Sequence, residues 1–227
     1  MKNGINEVYL YLKQFKELYG YDIITDLDKS SNSHYHENAF YKKKKSINSF
    51  ENEINHCQKC DIAFDRTNFV FGTGDPDADL FLVGEAPGRQ EDIHGVPFIG
   101  QAGKLLDKIL SAIGKSRKKG VYIANILKCR PPNNRDPLQS EIDECIPYLK
   151  QQINIIRPKL ILALGKVAAK VLINSDVILN EMRNTTYIYE NIPLRITYHP
   201  AALLRNTNLK KPTWEDFKYV KKYLDQV

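Results

Sequence analysis

An α/β fold with a mostly parallel sheet covered on both sides is what the sequence predicts, and three observations predict it. Short apolar runs alternate with longer segments of helical periodicity from Asp79 onward. The runs are apolar throughout rather than at every second residue, and the order reads β-α-β-α-β-α-β. A strand that is apolar at every position is buried on both faces. Strands alternating with helices are joined by right-handed crossovers into a parallel sheet.

In chain order, residues 1 to about 50 stand apart. Val8, Leu12, Phe15 and Tyr19 fall at helical spacing, a polar stretch runs from Asp26 to His36, and Lys42-Lys43-Lys44-Lys45 follows. This reads as one helix and a flexible basic linker, so residues 1–50 are expected to be an extension and 51–227 the main domain. The strands are Leu80-Phe81-Leu82-Val83-Gly84, Val121-Tyr122-Ile123-Ala124-Asn125, Leu160 to Gly165, and Leu194-Arg195-Ile196-Thr197. Between them Ala102 to Ile113, Gln139 to Ile156 and Lys166 to Ile173 read as helices, and Thr213 is expected to cap a last one through Trp214, Phe217, Val220 and Leu224.

Charge and composition narrow the function classes. The 42% hydrophobic and 26% charged content suits a globular chain, and no apolar run approaches the roughly 18 residues a membrane-spanning helix needs. Lys and Arg outnumber Asp and Glu by 33 to 27, a net charge of +6. The excess is local, because seven basic residues and no acidic one lie between Lys115 and Arg135. That density suits a polyanion, although a solvated face is the plainer reading.

Four cysteines, Cys57-x-x-Cys60, Cys129 and Cys145, make up a tetrahedral thiolate set. Such a set holds zinc or an iron-sulfur cluster, and the wide second pair leans towards a cluster without excluding zinc. A redox pair with two buried thiols is the competing reading. In open α/β sheets ligands bind beyond the carboxyl ends of the strands. There the sequence places Gly84-Glu85-Ala86-Pro87-Gly88, Asn125 and Tyr198-His199-Pro200, which offer a carboxylate, an amide and an imidazole to one crevice.

These residues belong to a longer series. Cys57-Gln58-Lys59-Cys60, Arg66-Thr67-Asn68, Val70-Phe71-Gly72, Val83-Gly84-Glu85-Ala86-Pro87-Gly88, Glu91-Asp92 and Pro97-Phe98-Ile99-Gly100 are followed by Tyr122-Ile123-Ala124-Asn125 and Lys128-Cys129-Arg130-Pro131-Pro132. Asn134-Arg135-Asp136-Pro137, Ala163-Leu164-Gly165 and His199-Pro200-Ala201-Ala202-Leu203-Leu204-Arg205 complete it. In this order, over about residues 54 to 224, the chain resembles the family 4 uracil-DNA glycosylases. Glu85 separates it from a branch with leucine there, and no arginine-rich insertion follows Pro132, unlike the branch that stays covalently attached to DNA.

The resemblance implies a three-layer α/β/α sandwich with a four-stranded parallel sheet, a 4Fe-4S cluster on Cys57, Cys60, Cys129 and Cys145, and excision of uracil from single- or double-stranded DNA. It also implies a cytoplasmic protein, nucleoid-associated when on DNA, and a monomer suffices. His199 would stabilise the departing uracil anion at O2, and Glu85 would orient or deprotonate water and favour the cationic sugar. Phe98 would stack on uracil, while Asn125 donates to O4 and accepts from N3–H, in a pocket floored by Gly84 and Ala86. Glu91, beside Gly88, would exclude the thymine methyl. Leu203 would wedge into the duplex, with Lys128, Arg130, Arg135 and Arg205 on phosphates. A cluster-stapled DNA-binding module without glycosylase activity would use the cysteines and the basic loop, but has no use for Glu85 and His199 together.

Overall fold

The computed structural model describes residues 40–175 and 178–227; the predicted N-terminal helix at Val8 to Tyr19 lies outside them. The chain divides into two units, Met1–Lys42 and Lys43–Val227, and everything that follows concerns the second. A helix over residues 40–54 (α1) opens the description. It corrects the reading of a flexible linker up to residue 50. The lysine run lies on this helix, Lys43 pairs with Asp77 at 2.6 Å, and Ile47 and Ile54 are buried in the core.

The remaining elements are α2 (Ile62–Asp65), β1 (Thr73–Gly74), β2 (Leu80–Gly84), α3 (Arg89–His94), α4 (Gln101–Ala112), β3 (Val121–Asn125), α5 (Gln139–Ile156), β4 (Leu160–Leu164), α6 (Lys166–Ile173), α7 (Leu179–Met182), β5 (Tyr187–Tyr189), β6 (Ile192–Thr197), α8 (Pro200–Arg205) and α9 (Lys210–Leu224). Strands β3-β2-β4-β6 form the predicted parallel core. The sheet as a whole has six strands, because β1 and β5 add antiparallel edges to β3 and β6. Strand β5 joins β6 through Glu190 and Asn191, both at positive φ, the backbone of a two-residue hairpin turn. Helix α9 also starts earlier than expected; Thr213 lies inside it and donates to the Leu209 carbonyl at 2.7 Å instead of capping.

The continuous apolar strands serve two cores. Phe81, Val83, Tyr122, Ala124, Ile161 and Ala163 face α1, α5 and α6 on one side. Leu80, Leu82, Val121, Ile123, Leu160 and Leu162 face α4 and α9 on the other. This is the three-layer arrangement the resemblance implies. The chain leaves β2 for β3 on one side and returns past it to β4 on the other, so the strand order reverses at β2. A crevice opens at such a switch point. Among the described residues no helix is long and apolar enough to cross a membrane.

Candidate active site

Beyond the carboxyl ends of the parallel strands lies a cleft of about 600 Å³. Glu85, Ala86 and Gly88 reach it from β2, Asn125 from β3 and His199 from β6, while Glu91, Phe98 and Arg205 close its walls. The ladder does not stop at Gly84. Ile126 and Leu127 N–H groups donate to the carbonyls of Gly84 (2.9 Å) and Glu85 (3.0 Å), so the Glu85 backbone is fixed although its side chain leaves the sheet.

His199 caps α8, with Pro200 in the first turn. Its Nδ1 accepts from the Ala201 N–H at 3.1 Å, which leaves the proton of the neutral ring on Nε2. Burial, with Arg205 adding to it, lowers the imidazole pKa to about 4, against a smaller opposing pull from Glu91. The strand end beneath is pinned by a buried network. Asp216 accepts two bonds from Arg183 (2.9 Å each) and one from Thr197 (2.5 Å), and the Arg183 guanidinium lies 4.6 Å from the centre of the Tyr198 ring. Burial, followed by the nearby Asp136 carboxylate, raises the pKa of Glu85.

Asn125 is buried, and its Oδ1 has no hydrogen-bond partner. Gly84 permits its position, because a Cβ there would stand 2.3 Å from Asn125 Oδ1 and 2.6 Å from Phe98 Cζ. The Phe98 ring lies 5.3 Å from that of His199. A Cβ on Gly88 would stand 2.8 Å from Glu91 Oε2, so the glutamate carboxylate lies against this wall.

The predicted phosphate and wedge residues fare differently. Lys128 is fully buried; its Nζ donates to the Asn125 carbonyl (2.8 Å) and Gln152 Oε1 (2.6 Å), and Gln152 donates onward to the Phe71 carbonyl (2.9 Å). It cannot touch a phosphate, and burial lowers its pKa to about 7 against the pull of the neighbouring Cys145 and Cys129. Leu203 is buried as well, whereas Leu204 is 46% exposed; the leucine free to wedge is the second of the pair. Arg135 grips Glu141 through both terminal nitrogens (2.9 and 2.5 Å), and Arg130 donates to Asn134 at 2.7 Å. Of the four cations, Arg205 alone lines the cleft.

Residues 71–221 match the family model described as the uracil DNA glycosylase superfamily. The chain belongs to that superfamily. It is 42% identical to the type-4 uracil-DNA glycosylase of Archaeoglobus fulgidus over 77% of this chain and 92% of the relative. It is also 42% identical to the type-4 protein of Sulfurisphaera tokodaii, over 78% and 84%, and 36% identical to that of Thermotoga maritima, over 81% and 97%.

The four cysteines of this superfamily member lie together, away from the cleft. Cys129 and Cys145 are buried and Cys57 and Cys60 partly so. Burial pushes the Cys60 and Cys145 thiols up to about 11, and neighbouring cysteines push each further. Arg66 donates to Cys129 Sγ (3.2 Å) and to the Cys57 carbonyl (2.6 Å), and the Tyr148 hydroxyl donates to Cys57 Sγ (3.3 Å). Among the described residues no three His, Cys, Asp or Glu side chains are arranged to hold a single metal ion. The sequence reading missed Asp136 beside Glu85, although Asn134-Arg135-Asp136-Pro137 carried it, and it missed Arg66 as a partner of the thiols.

Proposed function

We propose that this protein hydrolyses the N-glycosidic bond of deoxyuridine in DNA, releasing uracil and leaving an abasic site that starts base excision repair. The observation that carries the proposal is the buried, unpartnered Oδ1 of Asn125 in a cleft that also holds Phe98 and His199. A buried acceptor without a donor is costly. Uracil N3–H supplies the donor, whereas cytosine presents a lone pair at N3 and repels it.

Excision requires the target base to leave the stack. Uracil then lies against the Phe98 ring, with the Asn125 amide on its N3 and O4 edge. As the bond to C1′ lengthens, negative charge gathers on the uracil and positive charge on the sugar. The His199 Nε2–H donates to O2 of the departing base, and Glu85 takes a proton from the water that attacks C1′. Glu91 beside Gly88 leaves no room for the C5 methyl of thymine. Arg205 and Arg130 hold phosphates, and Leu204 fills the gap in the stack.

A 4Fe-4S cluster on Cys57, Cys60, Cys129 and Cys145 would supply structural cross-linking of the segments that carry its ligands, with no change of redox state needed for hydrolysis. The convergence of four thiols and the Arg66 and Tyr148 donors to their sulfurs fit such a group.

Incubation with single- and double-stranded oligonucleotides carrying one uracil, followed by alkaline cleavage at abasic sites, tests the proposal. Cleavage at the uracil alone is expected. Tight binding to uracil-containing DNA without abasic sites would overturn it in favour of a binding module.

A further inference from the structure

The uracil-stacking role given to Phe98 requires its ring to be held still, yet its backbone is an unusual one. Phe98 sits in the loop between α3 and α4 at φ +54°, in the left-handed region that large side chains rarely occupy. Such a conformation persists only where the surroundings impose it. Here the imposing group is Arg117. Its Nη1 donates to the Pro97 carbonyl at 2.7 Å and its Nη2 to the Phe98 carbonyl, while Nε is fixed on Asp107 of α4 at 2.7 Å.

The other side of the same loop is held by Glu91, whose Oε1 accepts from the N–H groups of Ile99 (3.0 Å) and Gly100 (3.1 Å). Gly103 lets helix α4 come up directly beneath, since a Cβ there would stand 1.6 Å from the Phe98 oxygen. Two carbonyls and two amides in succession are thus clamped from opposite sides, with the aromatic ring projecting between the clamps. Arg117 was one of the seven cations of the basic run, but its guanidinium is turned to the protein rather than to a polyanion.

We propose that Arg117 is a positioning residue of the base pocket: with Asp107 it locks the left-handed backbone of Phe98 and thereby sets the face on which uracil stacks. This rests on the reading of the cleft as a uracil site. Lysine cannot replace it, because a single ammonium cannot bridge two carbonyls and a carboxylate in the planar fork the guanidinium offers.

Free uracil probes the pocket without any phosphate. Its inhibition constant should be measured in Arg117→Met, Arg117→Lys and the milder Asp107→Asn, alongside single-turnover excision, thermal unfolding and the salt dependence of binding to plain DNA. Base stacking on an aromatic ring is worth enough that partial loss weakens uracil inhibition about tenfold in Arg117→Met. Arg117→Lys should not restore it, and Asp107→Asn should move it less in the same direction. Plain-DNA affinity and its salt slope should stay at the wild-type value. An unchanged uracil constant in folded Arg117→Met would overturn the clamp alone, and a salt slope reduced by about one would assign Arg117 to a phosphate instead. Wild-type protein that neither excises nor binds uracil would overturn the cleft reading and the clamp with it. If Arg117→Met fails to fold, Asp107→Asn decides on the same readouts.

Discussion

The protonation state of His199 is the most exposed claim of the mechanism. With Nδ1 accepting from the Ala201 N–H and the pKa lowered to about 4, the ring donates from Nε2 as a neutral imidazole throughout the physiological range. At pH 6 about one ring in a hundred would then be protonated, against about three in four for an ordinary histidine. The perturbation is pH itself, applied to the wild type and to Arg205→Met. Burial is the larger cause of the shift and the Arg205 charge the smaller, so removing the arginine should raise the pKa only part of the way back to 6.5, with Glu91 left to favour the charged ring. The difference between 6.5 and about 4 corresponds to at most about 3 kcal/mol. In that window the folded protein binds fewer protons than the unfolded chain. Stability present above pH 6.5 is therefore lost as the pH falls towards 4. Nitrogen-15 spectra of labelled histidine, assigned against His199→Asn, should show the Nε2–H tautomer at pH 6. Single-turnover excision should show no inflection near 6.5. A ring protonated on both nitrogens at pH 6, or carrying its proton on Nδ1, would refute the reasoning.

Three further outcomes follow from the site. Glu85→Gln should slow single-turnover excision by about a hundredfold or more. Because the Glu85 pKa is raised, activity should fall as the pH drops through a value above 4.5, and a wild-type acid limb that persisted in Glu85→Gln would contradict its role as base. Lys128→Met leaves the Asn125 carbonyl and Gln152 Oε1 without a donor, so it should cost about 2 kcal/mol, or roughly 4–8 °C in Tm, with no change in the salt slope of plain-DNA binding; a slope reduced by one would put Lys128 on a phosphate after all. Anaerobically purified protein should contain iron and sulfide, and their chelation should lower the melting temperature; stoichiometric zinc without iron would contradict the cluster.

Four parallel strands and two of the crossover helices were legible to the residue or nearly so, because full burial writes itself as an unbroken apolar run. The edges were not. Strand β5 has one exposed face, with Ile188 at 66% exposure, and β1 is only two residues long. In α1 the four lysines masked a usable signal, since Ile47, Phe50 and Ile54 fall at helical spacing just after them. At the site, residues at strand ends were predicted well because topology alone carries them to the crevice. Those whose role depends on which way a side chain turns were not. Lys128 lies three residues past Asn125 and turns inward to bond that residue's own carbonyl. Leu203 and Leu204 are neighbours on α8, where successive side chains point about 100° apart, and motif matching cannot choose between them.

The charges around the cleft explain why a neutral imidazole serves better than a cation. Bond cleavage moves negative charge from the sugar to the base, so the useful field is negative at one end and positive at the other. The structure supplies this in pairs. Asp136 lies close enough to Glu85 to raise its pKa, and Arg205 close enough to His199 to lower its pKa. Two carboxylates thus gather on the side assigned to the sugar and a guanidinium beside the group assigned to the leaving base. An imidazolium would strengthen the second pole, but it would have to be held next to Arg205 in a desolvated pocket, where burial already opposes it. Keeping the ring neutral leaves a short, directed N–H dipole whose tautomer is set by the Ala201 amide before substrate arrives. Little reorganisation is then required as the bond breaks, because the donor already points where charge will appear.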